Sequence, residues 1–335
     1  MKVLIDHPWP FFLAHGGLQI QIEQTKVGLE QAGVEVEFVR WWDDRQRGDV
    51  ILYFGRPAGG YIDFAHAKGI KIVAEELLSG LGSRSLPART AQKLLMNVSQ
   101  AVLPKMFTSR LAWDSYRKAD GFVANTPWEA HLMETMFGAD PAKIRVIANG
   151  VEDVFFPPAD HARAKGTELV CTATIHPRKR VVELTEAAIL ANLPVWIIGK
   201  PYAESDPYYR RFLEVQQSRP ELIRYQGAIS DRAELASIYQ RARGFVLLST
   251  QETHSLSAFE AAAATCPLLL SDLPWARSVF GSGAAYASAT ATGEDLARLL
   301  REFHEKAPSL QVGIQPPRWV DIGHQFKSFF AELLR

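Results

Sequence analysis

The 335-residue sequence contains only two cysteines, Cys171 and Cys266, far apart along the chain. That scarcity excludes a disulfide framework and any multi-cysteine zinc site, and both thiols are expected to be buried. Charge of neither sign is in excess: Lys+Arg is 37 and Asp+Glu is 37. A chain with no bulk basic field does not gather nucleic acid, so no nucleic-acid partner is expected. No run reaches the roughly 18 apolar residues of a membrane-spanning helix, and any membrane contact would be peripheral. The apolar run at the amino end, MKVLIDHPWP, is interrupted at Asp6. It therefore lacks the core of a signal peptide, which gives a cytoplasmic location as the expectation. The first strand is not followed by G-x-G-x-x-G, so a nicotinamide fingerprint is missing. There is also no Asp-x-Asp, and nothing in the sequence calls for a metal.

What is present is a globular composition, 47% hydrophobic and 22% charged, at a length that fits about two domains. Strand-length runs alternate with amphipathic stretches: KVLID, VEVEFV, VILYF, IKIVA, GFVAN and IRVIA, then LVCTAT, PVWIIG, LIRYQG, GFVLLS and PLLLSD. The rhythm pauses from Asn149-Gly150 through Pro157-Pro158. This predicts an α/β protein of two doubly wound, mainly parallel domains, residues 1–155 and 156–316, with ligands at the strand carboxyl ends and the cleft between the domains as the default site. Thr126-Pro127-Trp128-Glu129 reads as a helix start with a capping box. In residues 317–335, Trp319, Ile322, Phe326, Phe329, Phe330 and Leu333 recur at spacings of three and four, a stripe that has to dock.

Four places carry candidate chemistry. Gly16-Gly17 opens the first long helix, where backbone N–H groups and the helix dipole favour a phosphate; a glycine pair also simply makes a turn. TATIHPRKR puts His176, Arg178, Lys179 and Arg180 at a strand-to-helix turn, and cations at a helix amino end oppose the dipole unless an anion joins them. Glu252 follows the apolar strand FVLLS, and Glu260 is placed in the first turn of the next helix. Ser257 to Glu260 also fits a capping box. Glu294 and Glu302 have the same spacing inside a plain amphipathic helix and serve as an internal control. Finally, residues 84–118 hold Arg84, Arg89, Lys93, Lys105, Arg110, Arg117 and Lys118 against Asp114 alone, seven cations to one acid, a net of +6. Anionic lipid and plain solvent are the two partners such a face could have. Trp9, Phe11 and Phe12 form an aromatic loop that either shapes a pocket or packs.

Taken in order, the sequence resembles the retaining, nucleotide-sugar-dependent glycosyltransferases of the GT-B fold, glycosyltransferase family 4 or "glycosyl transferases group 1". The resemblance covers nearly the whole chain: GGLQIQIEQTKVGLEQAGVEVEFV, ADGFVANTPWEAHLMETMFGADPAKIRVIANGV, and the stretch from PRK through Glu252-x7-Glu260 to CPLLLSD. It implies an acceptor-binding first domain, a donor-binding second domain, and a terminal helix, 317–335, that crosses back to the first. It also implies a nucleoside diphosphate sugar as donor, no cofactor or metal, and a sugar, lipid-linked or small-molecule acceptor. Glu252 would hold donor hydroxyls and Glu260 the ribose. Thr253, His254, Ser255 and Leu256 would face sugar and phosphates, with Gly16 and Gly17 beside the donor, and Lys179 and Arg178 would take the diphosphate. Trp9, His15, Glu75 and Glu76 are the acceptor-side candidates. The sequence departs from the family in having Ala173-Thr174 where Gly-Arg is frequent. Thr253 and Ser255 stand in place of glycines, and Glu75-Glu76 where a histidine is common. A nucleotide-sugar epimerase or hydrolase, or a non-catalytic sugar-nucleotide-binding protein, are the competing expectations.

Overall fold

The computed structural model describes residues 1–11, 16–102, 111–158 and 166–335. Phe12, His15, Lys105 and Arg110 lie outside the described residues. The chain divides into two compact units: Met1–Gly150 with Pro317–Arg335, and Val151–Pro316. The division falls after Gly150 rather than after residue 155 as the sequence suggested. The cause is Phe155, which is fully buried, 6.0 Å from the Tyr239 ring and 4.7 Å from the Arg232 guanidinium above it. The residues just past Gly150 therefore belong to the second core.

In the first unit, strands β1 (Lys2–Asp6), β2 (Glu35–Phe38), β3 (Val50–Phe54), β4 (Lys71–Glu75), β5 (Gly121–Ala124) and β6 (Ile144–Val146) form one sheet. All pairs are parallel, in the order β2-β1-β3-β4-β5-β6. The inner strands are apolar on both faces, as a sheet covered by helices on both sides requires. The terminal helix Trp319–Leu333 packs in this unit against the helix Gly17–Gln31. Trp319, Ile322, Phe326, Phe329 and Phe330 are buried, whereas Leu333 at the end of the stripe is only half-buried. Two glycines set the approach: a Cβ on Gly323 would overlap the Gly28 carbonyl, and one on Gly28 would overlap that of Trp319.

The second unit holds β7 (Leu169–Thr172), β8 (Val195–Ile198), β9 (Ile223–Tyr225), β10 (Gly244–Leu247), β11 (Leu268–Ser271) and β12 (Ala285–Ala287). This sheet is also parallel, ordered β12-β11-β10-β7-β8-β9. The direction of winding reverses between β7 and β10, so the loops leaving these two neighbours diverge and open a crevice at their carboxyl ends. Both cysteines are buried, and burial pushes the Cys171 thiol up to about 12.

Candidate functional site

The loops after β7 and β10 carry the residues singled out in the second half of the sequence. His176 caps the turn Pro177–Lys179, its ring nitrogen accepting from the Arg178 N–H at 3.2 Å. Arg180 adopts a left-handed conformation (φ 54°) and is buried, donating to the carbonyls of Ala289 and Ala291. Arg180 is thus consumed in holding the loop, while Arg178 and Lys179 point to the other side. Lys179 Nζ donates to Glu252 Oε1. The Arg178 guanidinium lies 3.9 Å from Glu252 Oε2 and donates to the Gln251 carbonyl at 3.2 Å. The Thr250 N–H in turn donates to the Arg178 carbonyl at 2.8 Å, so the two loops are stitched by backbone as well as by charge. Glu252 is 7% exposed. A carboxylate at that depth needs partners, and it has two cations.

Glu260 does not build the capping box that Ser257 suggested. The helix runs Leu256–Ala263, and its cap is Ser255, whose hydroxyl accepts from the Ala258 N–H at 3.3 Å. Glu260 is therefore in the second turn rather than the first, and its side chain faces inward. Arg232 Nη2 donates to Glu260 Oε1 at 2.5 Å, and the Tyr239 hydroxyl donates to Oε2 at 3.5 Å. Arg232 also donates through Nε to Glu152 at 2.6 Å. Burial holds the Glu260 carboxyl above its ordinary value, and Arg232 opposes that shift. Tyr239 shares a hydrogen bond of 2.5 Å with Thr172, the last residue of β7, which ties this second cluster to the same strand end. Between the two glutamates, Thr253 and Ser255 are buried. The His254 ring stacks on Phe259 with centroids 3.9 Å apart, and desolvation brings its imidazole down to about 3, so it is neutral at physiological pH.

Glu294 and Glu302, with the same spacing, behave as surface residues. They sit on the helix Gly293–Lys306, Glu294 exposed and Glu302 half-buried, Glu302 bonded to Arg298 at 2.9 Å and Glu294 3.6 Å from Arg301. Topology separates the two glutamate pairs, since only the first flanks a strand end. Arg232, Glu152 and Tyr239 were not found by sequence reasoning. The one available signal was Asp231, which caps the helix Arg232–Arg241 and so fixes the position of Arg232.

In the first unit, Gly16 (φ 143°) precedes the helix that starts at Gly17, in a conformation that glycine adopts freely and other residues rarely do. Trp9 is 64% exposed and lines a pocket of about 390 Å³ at the carboxyl ends of β1 and β2, together with His7, Phe11, Phe38, Trp41 and Trp42. The aromatic loop at Trp9 and Phe11 is legible in the sequence, whereas the Trp41-Trp42 wall, which the loop after β2 supplies, is not.

Glu75 and Glu76 are not a pair of exposed acids. Glu75 ends β4 and is buried; its Oε1 accepts from Gln21 and, at 3.1 Å, from Asn125, while Oε2 has no partner among the described residues. Burial pushes its carboxyl up to about 8. Glu76 is held by Arg56 through two bonds of 2.8 Å and by the Tyr116 hydroxyl at 2.6 Å. Thr126 caps the helix Pro127–Phe137 as expected, its hydroxyl accepting from the Glu129 N–H at 3.2 Å. The Glu129 side chain departs from the capping box: it accepts from the N–H groups of Asn125 (3.0 Å) and Leu78 (2.9 Å), and burial brings it up to about 7.

Comparison with known proteins fits this geometry. Residues 157–313 match the family model described as Glycosyl transferases group 1. The D-inositol 3-phosphate glycosyltransferase of Jonesia denitrificans is 30% identical over 175 residues, 45% of this chain and 40% of that one. The enzyme of the same description from Kribbella flavida is 31% identical over 177 residues, again 45% and 40%. The match thus spans about two fifths of the length of these relatives. Among solved structures, sucrose-phosphate synthase from Thermosynechococcus elongatus superposes with a TM-score of 0.68 at 16% identity, covering 99% of this chain and 98% of that one. Anabaena Alr3699/HepE in complex with UDP gives 0.70 at 13% identity, covering 99% and 100%. Residues 157–313 are thus similar to the glycosyl transferases group 1 family, and the two parallel α/β units have the GT-B fold.

Proposed function

We propose that the protein is a retaining glycosyltransferase that moves a sugar from a nucleoside diphosphate sugar to an acceptor hydroxyl. The observation that carries this is the meeting of Arg178 and Lys179 with Glu252 at the carboxyl ends of β7 and β10, where an open parallel sheet binds its ligands. Lys179 has three donors and gives one to Glu252, which leaves the ammonium free to bond a phosphate while the carboxylate stays in place. Glu252 accepts from hydroxyls of the donor sugar. Glu260, fixed by Arg232 and Tyr239, retains acceptor sites for ribose hydroxyls.

In the reaction, the bond from the anomeric carbon to the diphosphate oxygen breaks and its electron pair leaves with the diphosphate. The acceptor oxygen bonds to the anomeric carbon from the same face and its proton passes to the departing phosphate. Charge accumulates on the diphosphate, where the Arg178 and Lys179 cations and the N–H groups at the start of the helix Leu256–Ala263 oppose it. These cations replace the charge a metal would bring, so the transfer is metal-independent. The acceptor is held by the first unit, and the aromatic pocket around Trp9, Trp41 and Trp42 suits a sugar ring or an apolar aglycone. UDP, present in one structural relative, is the first nucleotide to try.

The test is thermal stabilisation by UDP, GDP, ADP and TDP, followed by a transfer assay with the stabilising donor. Saturation at about a hundred times Kd adds about 2.7 kcal/mol of stability. Sugar transferred with retained anomeric configuration supports the proposal. Donor consumption that ignores every acceptor, or nucleotide binding with no turnover, defeats it.

A further inference from the structure

The pocket at the carboxyl ends of β1 and β2 combines aromatic walls with a carboxylate that meets no opposite charge. Trp9, Phe11, Phe38, Trp41 and Trp42 supply the rings, and Trp41 and Trp42 are 78% and 84% exposed. Asp6, the last residue of β1, also lines the pocket and is buried. Its Oδ1 accepts from the His7 N–H at 2.8 Å and its Oδ2 from the Tyr61 hydroxyl at 2.6 Å. These bonds hold the carboxylate in place, but neither brings a cation. A carboxylate has about four lone-pair sites, so about two remain for a ligand.

Asp6 stands apart from the other buried acids. Glu252 and Glu260, buried to a similar extent, each meet a cation, Lys179 and Arg232. Glu75 and Glu129 have no ion pair among the described residues, and there burial works against the charge, bringing the carboxyls up to about 8 and about 7. Asp6 has no ion pair among the described residues either, yet it opens onto a cavity. Arg40, between the lining residues Val39 and Trp41, is held by Glu37 at 2.7 Å and Asp43 at 2.8 Å. Among the described residues no lysine or arginine lines the pocket. A carboxylate withdrawn from water is costly until a positive charge joins it. The face of an indole ring attracts that same charge more strongly than any other aromatic side chain. Both features therefore ask for one kind of ligand.

Building on the transferase reading, in which the first unit holds the acceptor, we propose that this pocket binds a protonated amine and that the acceptor is an amino sugar or a hydroxylated amine of similar size. Its ammonium pairs with Asp6 and lies against the rings of Trp9, Trp41 and Trp42. An uncharged sugar stacks on the same rings but leaves Asp6 without a counter-charge, and a phosphorylated one meets Asp6 with like charge.

The test is titration of tryptophan fluorescence in the full chain, without donor, by glucosamine, glucose, N-acetylglucosamine and glucose 6-phosphate at about pH 6, where a free amine is charged. Glucosamine is expected to bind at least about ten-fold more tightly than glucose. N-acetylglucosamine, which has lost the charge, is expected to behave as glucose does, and glucose 6-phosphate to bind most weakly. Asp6→Asn is expected to abolish the preference for the amine. Trp42→Ala, at an exposed position, is expected to weaken glucosamine about three-fold or more without changing the melting temperature. Four results overturn the proposal: no saturable response to any of the sugars, equal affinity for glucosamine and N-acetylglucosamine, tighter binding of glucose 6-phosphate, or an undiminished preference for the amine in a folded Asp6→Asn protein. Because binding is read without donor, the two readings fail separately. Transfer to a neutral acceptor with no amine binding keeps the transferase and ends the amine site, and amine binding in a chain that transfers nothing does the reverse.

Discussion

Lys179 and Glu252 form an ion pair across the loops that leave neighbouring parallel strands, 73 positions apart in the sequence. The pair is more than an internal bridge, because Arg178 stands on its other side and the crevice opens where all three converge. Under the proposed reaction, Lys179→Ala removes a cation from the leaving diphosphate and Glu252→Ala removes the acceptor of sugar hydroxyls. Each is expected to lower kcat/KM by about 10²–10³, a magnitude typical of removing one preorganised partner of developing charge. Glu294→Ala, with the same eight-residue offset to its partner glutamate but on a solvated helix, is expected to leave kcat/KM unchanged. Steady-state kinetics with circular dichroism as a folding control decides the matter, and equal losses at Glu252 and Glu294 would sink the assignment. In the proposed reaction cationic side chains, not a metal, neutralise the diphosphate, so treatment with a chelator is expected to leave the rate intact.

Arg232 is a structural partner of Glu260 before it is anything else. It joins Glu152 to Glu260, covers Phe155 and lies about two-thirds out of solvent. Arg232→Ala strands a buried carboxylate, whose pKa burial already raises. Removing one partner from a largely buried pair is expected to cost about 2–4 kcal/mol, visible in urea unfolding. Glu260→Gln together with Arg232→Met removes both charges and is expected to recover part of that loss. A double variant that is no more stable than Arg232→Ala alone contradicts the pairing.

The pH dependence of stability is expected to follow Glu75. Folded Glu75 keeps its proton up to about pH 8, whereas an unperturbed glutamate releases it near 4.5. The folded state therefore binds the extra proton between these values. The contribution is complete below about pH 4.5, declines as pH rises, and is gone above about pH 8. Glu129, raised to about 7 by burial, adds a slope of the same sign that ends earlier. Glu75→Gln mimics the neutral acid, so its unfolding free energy is expected to fall less than that of the unaltered chain between pH 6 and 8, the gap being on the order of 1 kcal/mol or more. Parallel pH profiles for the two proteins would show that Glu75 does not titrate in this range.

The sequence made the strands themselves legible because buried parallel strands are continuous apolar runs, and VILYF or GFVLLS has few other readings. Ala285–Ala287 was missed because three small or amphipathic residues carry no such signal. The Glu252 cluster was accessible from local facts: a carboxylate straight after a buried strand and cations straight after another. Arg232 and Glu152 were not, since each lies in an unremarkable stretch and gains meaning only when folding brings it against Glu260. The same holds for Glu75, where adjacent acids suggested a shared role. The strand alternation instead buries Glu75 and turns Glu76 to Arg56.

Gly28 and Gly323 fix how closely the terminal helix approaches the first one, and a pair of identical substitutions separates this from helix propensity. Alanine is favoured over glycine by about 0.8–1.0 kcal/mol in a helix interior, so Gly→Ala ordinarily stabilises. At Gly60, within the helix Gly59–Ala67, an added Cβ meets nothing within 4 Å. Gly60→Ala is expected to raise stability by a few tenths to about 1 kcal/mol. At Gly323 the same methyl group overlaps the Gly28 carbonyl, and backbone cannot step aside as a flexible side chain does. The helices must separate, lifting Phe326 and Phe330 from their contacts, and overpacking of this kind typically costs about 1–3 kcal/mol. Gly323→Ala is therefore expected to destabilise although it improves the helix it sits in. Melting curves of the two variants measured side by side should move in opposite directions; a Gly323→Ala protein that melts higher than the unaltered chain would show that the two helices do not meet at these glycines.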